Sequence, residues 1–216
     1  MQSDCLQHQL DREHDDILCH AEHVLGIEIA ALEGLRHKLD GAFVKAVSLL
    51  EQCRGRVIVT GMGKSGLVGR KIAATLSSTG TPALFLHPAE GVHGDLGMVT
   101  PTDVVIAISN SGETMEILQL LPTLQHIDPI LIAITGNPNS YLAHHSDVVL
   151  CVGVEQEACP LGLAPTASTT ATLVMGDMIA MVLLRRKGFT PGKFALFHPA
   201  GCLGQQLHQT GMSQRC

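Results

Sequence analysis

Val104-Val105-Ile106-Ala107-Ile108 runs directly into Ser109-Asn110-Ser111-Gly112-Glu113-Thr114, and a helix-like segment follows over 115–125. Five apolar residues in a row, mostly β-branched, read as a strand buried on both faces, as in a parallel sheet. The turn after the strand brings three hydroxyls, a glycine and the start of a helix to one point. First-turn amides of a helix lack intrahelical partners and its dipole favours negative charge, so such a point attracts anions. The turn holds no Lys or Arg. It therefore suits a small phosphate monoester held by directional hydrogen bonds better than a polyanion held by charge.

Outward from this stretch the same pattern recurs. Short β-branched runs stand at 57–60, 83–86, 130–134 and 148–152, with helical segments at 67–78 and near Tyr141. A long apolar helix is expected over about 168–187. Strands alternating with helices imply an α/β three-layer sandwich with a parallel sheet, here five strands in the flavodoxin-like order 2-1-3-4-5. In that order the first and third strands are neighbours, and ligands bind beyond their carboxyl ends. The turn after the first strand is Gly61-Met62-Gly63-Lys64-Ser65-Gly66. The two turns richest in glycine and hydroxyls are therefore expected side by side. Before the sheet, apolar residues from Val24 to Leu50 repeat at three-to-four spacing, with a break at Asp40 or Gly41. We divide the chain into an N-terminal helical segment, 1–54, packing on a domain over 55–216.

Composition narrows the function. The 216 residues carry a net charge of −6, and 45% are hydrophobic against 16% charged. That balance argues against a nucleic-acid partner, which needs clustered Lys and Arg. The run Arg185-Arg186-Lys187 suits a helix C-terminus, where cations are favoured. Seven scattered cysteines without a C-x-x-C pair point to reduced thiols and a cytoplasmic protein. The apolar stretch over 171–184 is shorter than a bilayer crossing and is broken by Gly176 and Asp177, so a membrane partner is not expected.

Gly61-x-Gly63-x-x-Gly66 matches the dinucleotide fingerprint, but the second strand ends at Leu86-His87-Pro88 without the acidic residue that holds a ribose. Lys64 opposes the dipole of the helix it starts unless an anion is bound there. Ser77-Ser78-Thr79-Gly80-Thr81 reads either as a plain loop or as a second polar wall of the crevice. His87 and His93 lie six residues apart, with no third metal donor at matching spacing. Glu157, in apolar and proline-rich surroundings, is a candidate base with a raised pKa or a solvated loop acid. Glu116 in a first helical turn reads as a base or a cap, and His198 as a proton carrier or a loop histidine placed before a last helix.

GMGKSG, HPAEGVHGDLGMVT, ISNSGET, EACPLGLAPTASTTATLVMGD and GFTPGKFALFHPAG occur in this order. Together they resemble the sugar-isomerase (SIS) domain of bacterial arabinose 5-phosphate isomerases, over residues from about 56 to 207. The resemblance implies interconversion of D-ribulose 5-phosphate and D-arabinose 5-phosphate, which feeds synthesis of Kdo, the acidic sugar of lipopolysaccharide and some capsules. It implies that Lys64, Glu116, Glu157 and His198 are the catalytic residues, and that His87 and His93 contribute to substrate or zinc binding. Zinc at His87 would be inhibitory, with no cofactor required. A homotetramer is implied as well. Family members usually continue into two cystathionine-β-synthase-type modules, and catalysis is expected to be independent of them.

For the phosphate we assign Ser109, Ser111 and Thr114, with Ser65 and Lys64 nearby; Asn110, with Gly80 and Thr81 as the further wall, completes the substrate-binding set. Glu157 is the preferred carbon base, Glu116 the alternate, and His198 either a proton shuttle on oxygen or an aid to opening the furanose form of the aldose. A catalytically silent phosphosugar-binding regulator would keep the 109–114 turn but has no need of Lys64, Glu116, Glu157 and His198 together. A transcriptional regulator would need a basic reading helix, which the acidic N-terminal segment does not offer.

Overall fold

The computed structural model of the chain describes residues 2–199, with side chains from residue 15 onward. Strands β1 (Val57–Gly61), β2 (Ala83–Leu86), β3 (Val104–Ile108), β4 (Ile130–Thr135) and β5 (Val148–Cys151) form one parallel sheet in the order β2-β1-β3-β4-β5. Both the order and the strand positions agree with the sequence reading, to within one residue at the strand ends.

Alternation along the strands explains why they are apolar throughout. Val104, Ile106 and Ile108 enter one core with Val59, Ile132 and Ile134, while Val105 and Ala107 enter a second with Ile58, Leu131 and Ala133. The first core is closed by the end of α1 (Gln2–Arg36), by α2 (Gly41–Gln52) and α3 (Gly63–Ser78), and by the long helix over Ala167–Arg186. The second is closed by α4 (Pro88–Val92) with a 3₁₀ turn (Asp95–Met98), α5 (Met115–Leu118), α6 (Leu121–Ile127) and α7 (Tyr141–His144). The Ala167–Arg186 helix is α8, and α9 (Pro191–Phe197) ends the described chain.

Several boundaries have local causes. Asp40 caps α2 by accepting the Ala42 N–H at 2.8 Å, which places the expected break between the first two helices. The segment over 115–125, expected as one helix, is two. Pro122 has no N–H and its ring crowds the carbonyl four residues back, so α5 stops at Leu118 and α6 restarts at Leu121. α4, the 3₁₀ turn and α9 are too short to show a period in the sequence. By length and composition α8 could cross a bilayer, yet half of its most apolar window is buried inside the domain, where it packs on α1, α2 and α3. Its enclosure is incomplete within one chain, since Met181 is 46% exposed.

Candidate active site

Register carries the central geometry. Gly61, the last residue of β1, pairs with Ile108, the last of β3, so the Lys64 turn and the Ser109–Thr114 turn leave adjacent strands at the same edge. A Cβ on Gly66 would stand 2.5 Å from the Gly61 carbonyl oxygen, so only glycine lets α3 begin this close to β1. The first turn of this 16-residue helix has no side-chain cap from Met62 and no acidic residue. Its amides are left for an external anion, with Ser65 half-buried and Lys64 exposed beside them. Among the described residues Lys64 makes no salt bridge.

The turn after β3 is braced from within. Buried Ser109 accepts the Gly112 N–H at 3.0 Å and shares a 2.8 Å hydrogen bond with the Thr114 hydroxyl. Gly112 has a φ of +70°, and a Cβ there would collide with Ser140. Glu113 turns away and accepts the Tyr141 N–H at 2.7 Å, which ties the turn to α7. Ser111 and Asn110 are exposed, the Ser111 hydroxyl accepting the Glu113 N–H at 3.1 Å. Of the three residues assigned to the phosphate in this turn, Ser109 and Thr114 therefore shape it, while Ser111 is presented to solvent beside the substrate-binding candidate Asn110. The four-residue α5 has a small dipole, so the stronger pull on an anion comes from α3.

Glu157 follows β5 at the same edge and meets the start of α8. Its Oε2 accepts the Thr166 N–H at 2.7 Å, the Thr166 hydroxyl at 3.0 Å and the Ser168 N–H at 3.2 Å. Burial alone would raise this carboxyl, but the hydrogen bonds from Ser168 and Thr166 outweigh it and hold Glu157 below the usual carboxylate range. The raised pKa expected from sequence is thus reversed. The cause is a set of donors nine to eleven residues away that an apolar local context does not reveal. Glu116 is half-buried in the first turn of α5 and makes no side-chain hydrogen bond among the described residues, so the capping role does not apply.

Among the described residues, three buried side-chain atoms lack a hydrogen-bond partner: Thr60 Oγ1, His87 Nδ1 and Ser168 Oγ. Thr60 lies one residue before the end of β1, His87 directly after β2, and Ser168 in the first turn of α8. All three belong to the carboxyl edge, where a polar ligand could satisfy them. His93 is exposed at the far end of α4 from His87. Among the described residues no three His, Cys, Asp or Glu side chains are grouped for a metal.

Two assignments move to the opposite end of the sheet. Gly80 and Thr81 precede β2, so they lie at the amino edge, where the Pro82 carbonyl accepts the Val57 N–H at 2.9 Å. Thr81 is buried and accepts a hydrogen bond from Lys187 Nζ at 3.0 Å, and Gly80 lies against the Phe189 ring. Neither lines the crevice of its own chain. His198 follows α9, whose Phe197 ring packs 5.8 Å from Phe189, so it too belongs to the amino edge. Its Nδ1–H donates to the Phe194 carbonyl at 2.8 Å and its ring stacks on Phe194 at 3.9 Å. The last helix expected beyond His198 lies outside the described residues. Sequence reasoning missed Thr166, Ser168, Thr60 and Ser140. Only Thr166 carried a signal, as a hydroxyl residue directly before an apolar helical run.

The profile of the SIS domain matches residues 49–182, more than half of the chain. The arabinose 5-phosphate isomerase KdsD of Shigella flexneri is 58% identical over 184 residues, covering 85% of this chain and 56% of that protein. KdsD of Pseudomonas aeruginosa is 54% identical over 192 residues, 89% of this chain and 59% of its own. The chain thus spans little more than half the length of the curated relatives it matches. Among solved structures, the Escherichia coli CFT073 protein c3406 in complex with arabinose 5-phosphate has a TM-score of 0.83 and 45% identity, over 86% of this chain and 98% of that one. On the extent of the profile match and of the identity to these relatives, this chain belongs to the SIS domain family.

Proposed function

We propose that the chain is an aldose–ketose isomerase that interconverts D-ribulose 5-phosphate and D-arabinose 5-phosphate through a cis-enediol, supplying Kdo synthesis for lipopolysaccharide or capsule. The observation that carries this reading is the Gly61–Ile108 register, which brings an uncapped, lysine-bearing helix start beside a hydroxyl-rich turn. The names of the KdsD relatives and of the sugar-phosphate complex supply the substrate.

In this reading the α3 amides, Lys64, Ser65 and Ser111 hold the phosphate. Glu157 takes the proton from one of two adjacent carbons and returns it to the other, Glu116 being the alternate base. Lys64 steadies the enediolate oxygen as charge develops. A placed base contributes about 10²–10⁴-fold, and oriented oxyanion partners about as much. His198 stands at the wrong edge for its own crevice, so it serves the crevice of a second copy, in keeping with a homotetramer. The proton transfers need no cofactor, and zinc would act only by blocking His87. The four cysteines with described side chains are free thiols, which suits the cytoplasm.

The test is incubation with D-ribulose 5-phosphate in D₂O, read by NMR. Arabinose 5-phosphate carrying deuterium at its second carbon is expected from the native chain. Glu157→Gln is expected to keep binding and lose the exchange. Binding without turnover by the native chain would favour a silent phosphosugar sensor.

A further inference from the structure

Glu157 is held unevenly. Oε2 takes three hydrogen bonds, two from the backbone N–H and hydroxyl of Thr166 and one from the Ser168 N–H. Oε1 makes none at hydrogen-bond distance among the described residues, and the Ser168 hydroxyl beside the carboxyl also favours its charged form. The Thr166 hydroxyl is itself directed. It accepts the Ala158 N–H at 2.8 Å, so its single proton is left for Oε2. Thr166 is also the N-cap residue of α8, yet its side chain makes no capping bond to its own helix. The hydroxyl that would ordinarily cap α8 is turned onto Glu157 instead, and Glu157 supplies the cap. Because α8 packs along α3, this arrangement refers the carboxylate to the helix that carries Lys64 in its first turn.

We propose that Thr166 is a positioning residue for Glu157: it locks Oε2 in the first turn of α8 and leaves Oε1 as the oxygen that carries the proton between the two sugar carbons. The inference rests on the isomerase reading above and names what aims its base. A carboxylate with both oxygens free would rotate about its last bond and spend little time aligned with a carbon–hydrogen bond, and misplacement of a reacting group by about 1 Å can cost on the order of 10²-fold. Other ionisable groups lie close in the chain or the fold. Glu155 and Cys159 flank Glu157 on its own segment, and Glu28 on α1 accepts the Thr170 hydroxyl at 3.1 Å in the first turn of α8.

The experiment compares Thr166→Val and Thr166→Ser with the native chain, measuring kcat, KM, the pH profile of kcat and the melting temperature. Val keeps the backbone N–H and the shape but loses the hydroxyl. In Thr166→Val, kcat is expected to fall about 10- to 100-fold with KM nearly unchanged. The acid limb of its profile should move to higher pH, because a donor that favours the charged carboxylate is gone. Thr166→Ser should restore both. Glu157→Gln provides the control that assigns the acid limb, which it should lack. Should the Val variant fail to fold, Thr166→Cys takes its place with a nearly isosteric, weak donor.

A native chain that does not isomerise the substrate would defeat the isomerase reading itself. An active native chain whose Val variant keeps kcat and the acid limb would overturn the role of Thr166 alone. A fall in kcat with the limb unmoved, or no rescue by Ser, would mark the Thr166 side chain as merely structural and overturn it too.

Discussion

Helices α3 and α8 pack against each other and both begin at the carboxyl edge of the sheet, yet their first turns are finished in opposite ways. α8 receives an internal carboxylate: Glu157 accepts the N–H groups of Thr166 and Ser168 and is held below its usual pKa. α3 receives no side-chain cap from Met62, and Lys64 stands against its dipole. A helix start left uncapped with a cation beside it is unfavourable in the free protein and favourable once an anion arrives. One helix start is thus completed from within the chain, and the other is left open to an anion.

The sharpest way to break this contrast is to remove the cation. Lys64→Met is expected to lower kcat/KM for ribulose 5-phosphate by about 10²–10⁴-fold, since both the phosphate and the developing enediolate lose a positive partner. The same change should leave the free protein as stable or more so, by up to about 1 kcal/mol, because a charge unfavourable to the helix dipole is gone. Activity assays and urea denaturation of the same sample check both halves. A variant that loses stability along with activity would show that Lys64 has a structural role, and the contrast with α8 would fail.

A second change attacks the close approach that lets α3 start at β1. Gly66→Ala puts a methyl 2.5 Å from the Gly61 carbonyl oxygen, a backbone atom with no easy retreat. The helix start must shift, with a loss of roughly 2–3 kcal/mol in unfolding free energy and a comparable loss of phosphate affinity. Denaturation and isothermal titration with inorganic phosphate measure the two. Unchanged values for both would mean that the α3 start tolerates displacement and is not a built anion site.

Much of this was legible in the sequence because the strands are buried on both faces. Val104-Val105-Ile106-Ala107-Ile108 had to be apolar at every position, and the strand order then brought two distant turns together. Hydrogen-bond direction was not legible. Nothing near Ser109 in the chain says that its hydroxyl is spent on Gly112 and Thr114, and nothing near Glu157 announces Thr166 and Ser168 as donors. The placement of Gly80 and Thr81 was recoverable and was missed. In a parallel sheet whatever precedes a strand lies at its amino edge, so a segment leading into β2 could not wall a crevice at the carboxyl edge. His198 was harder to place. Its motif says what chemistry it carries, while its location depends on where α8 ends, and the packing of Phe189 and Phe197 decides that.

The smallest effect tests the completed helix start by pH. Glu157 is held below the usual carboxylate value when folded, so its contribution to stability is fully present above the unfolded pKa of about 4.3 and is lost as pH falls through the lower folded pKa. Its partial exposure and its role as a cap set the scale at roughly 1 kcal/mol. Urea denaturation at about pH 7 should find the native chain more stable than Glu157→Gln by that amount, with the gap closing below about pH 4.3. Gln accepts the same N–H groups without charge, so whatever gap remains in strong acid reports geometry alone. A gap that stays constant across this range would mean that the charge on Glu157 is not what finishes α8, and the two helix starts would differ in shape only.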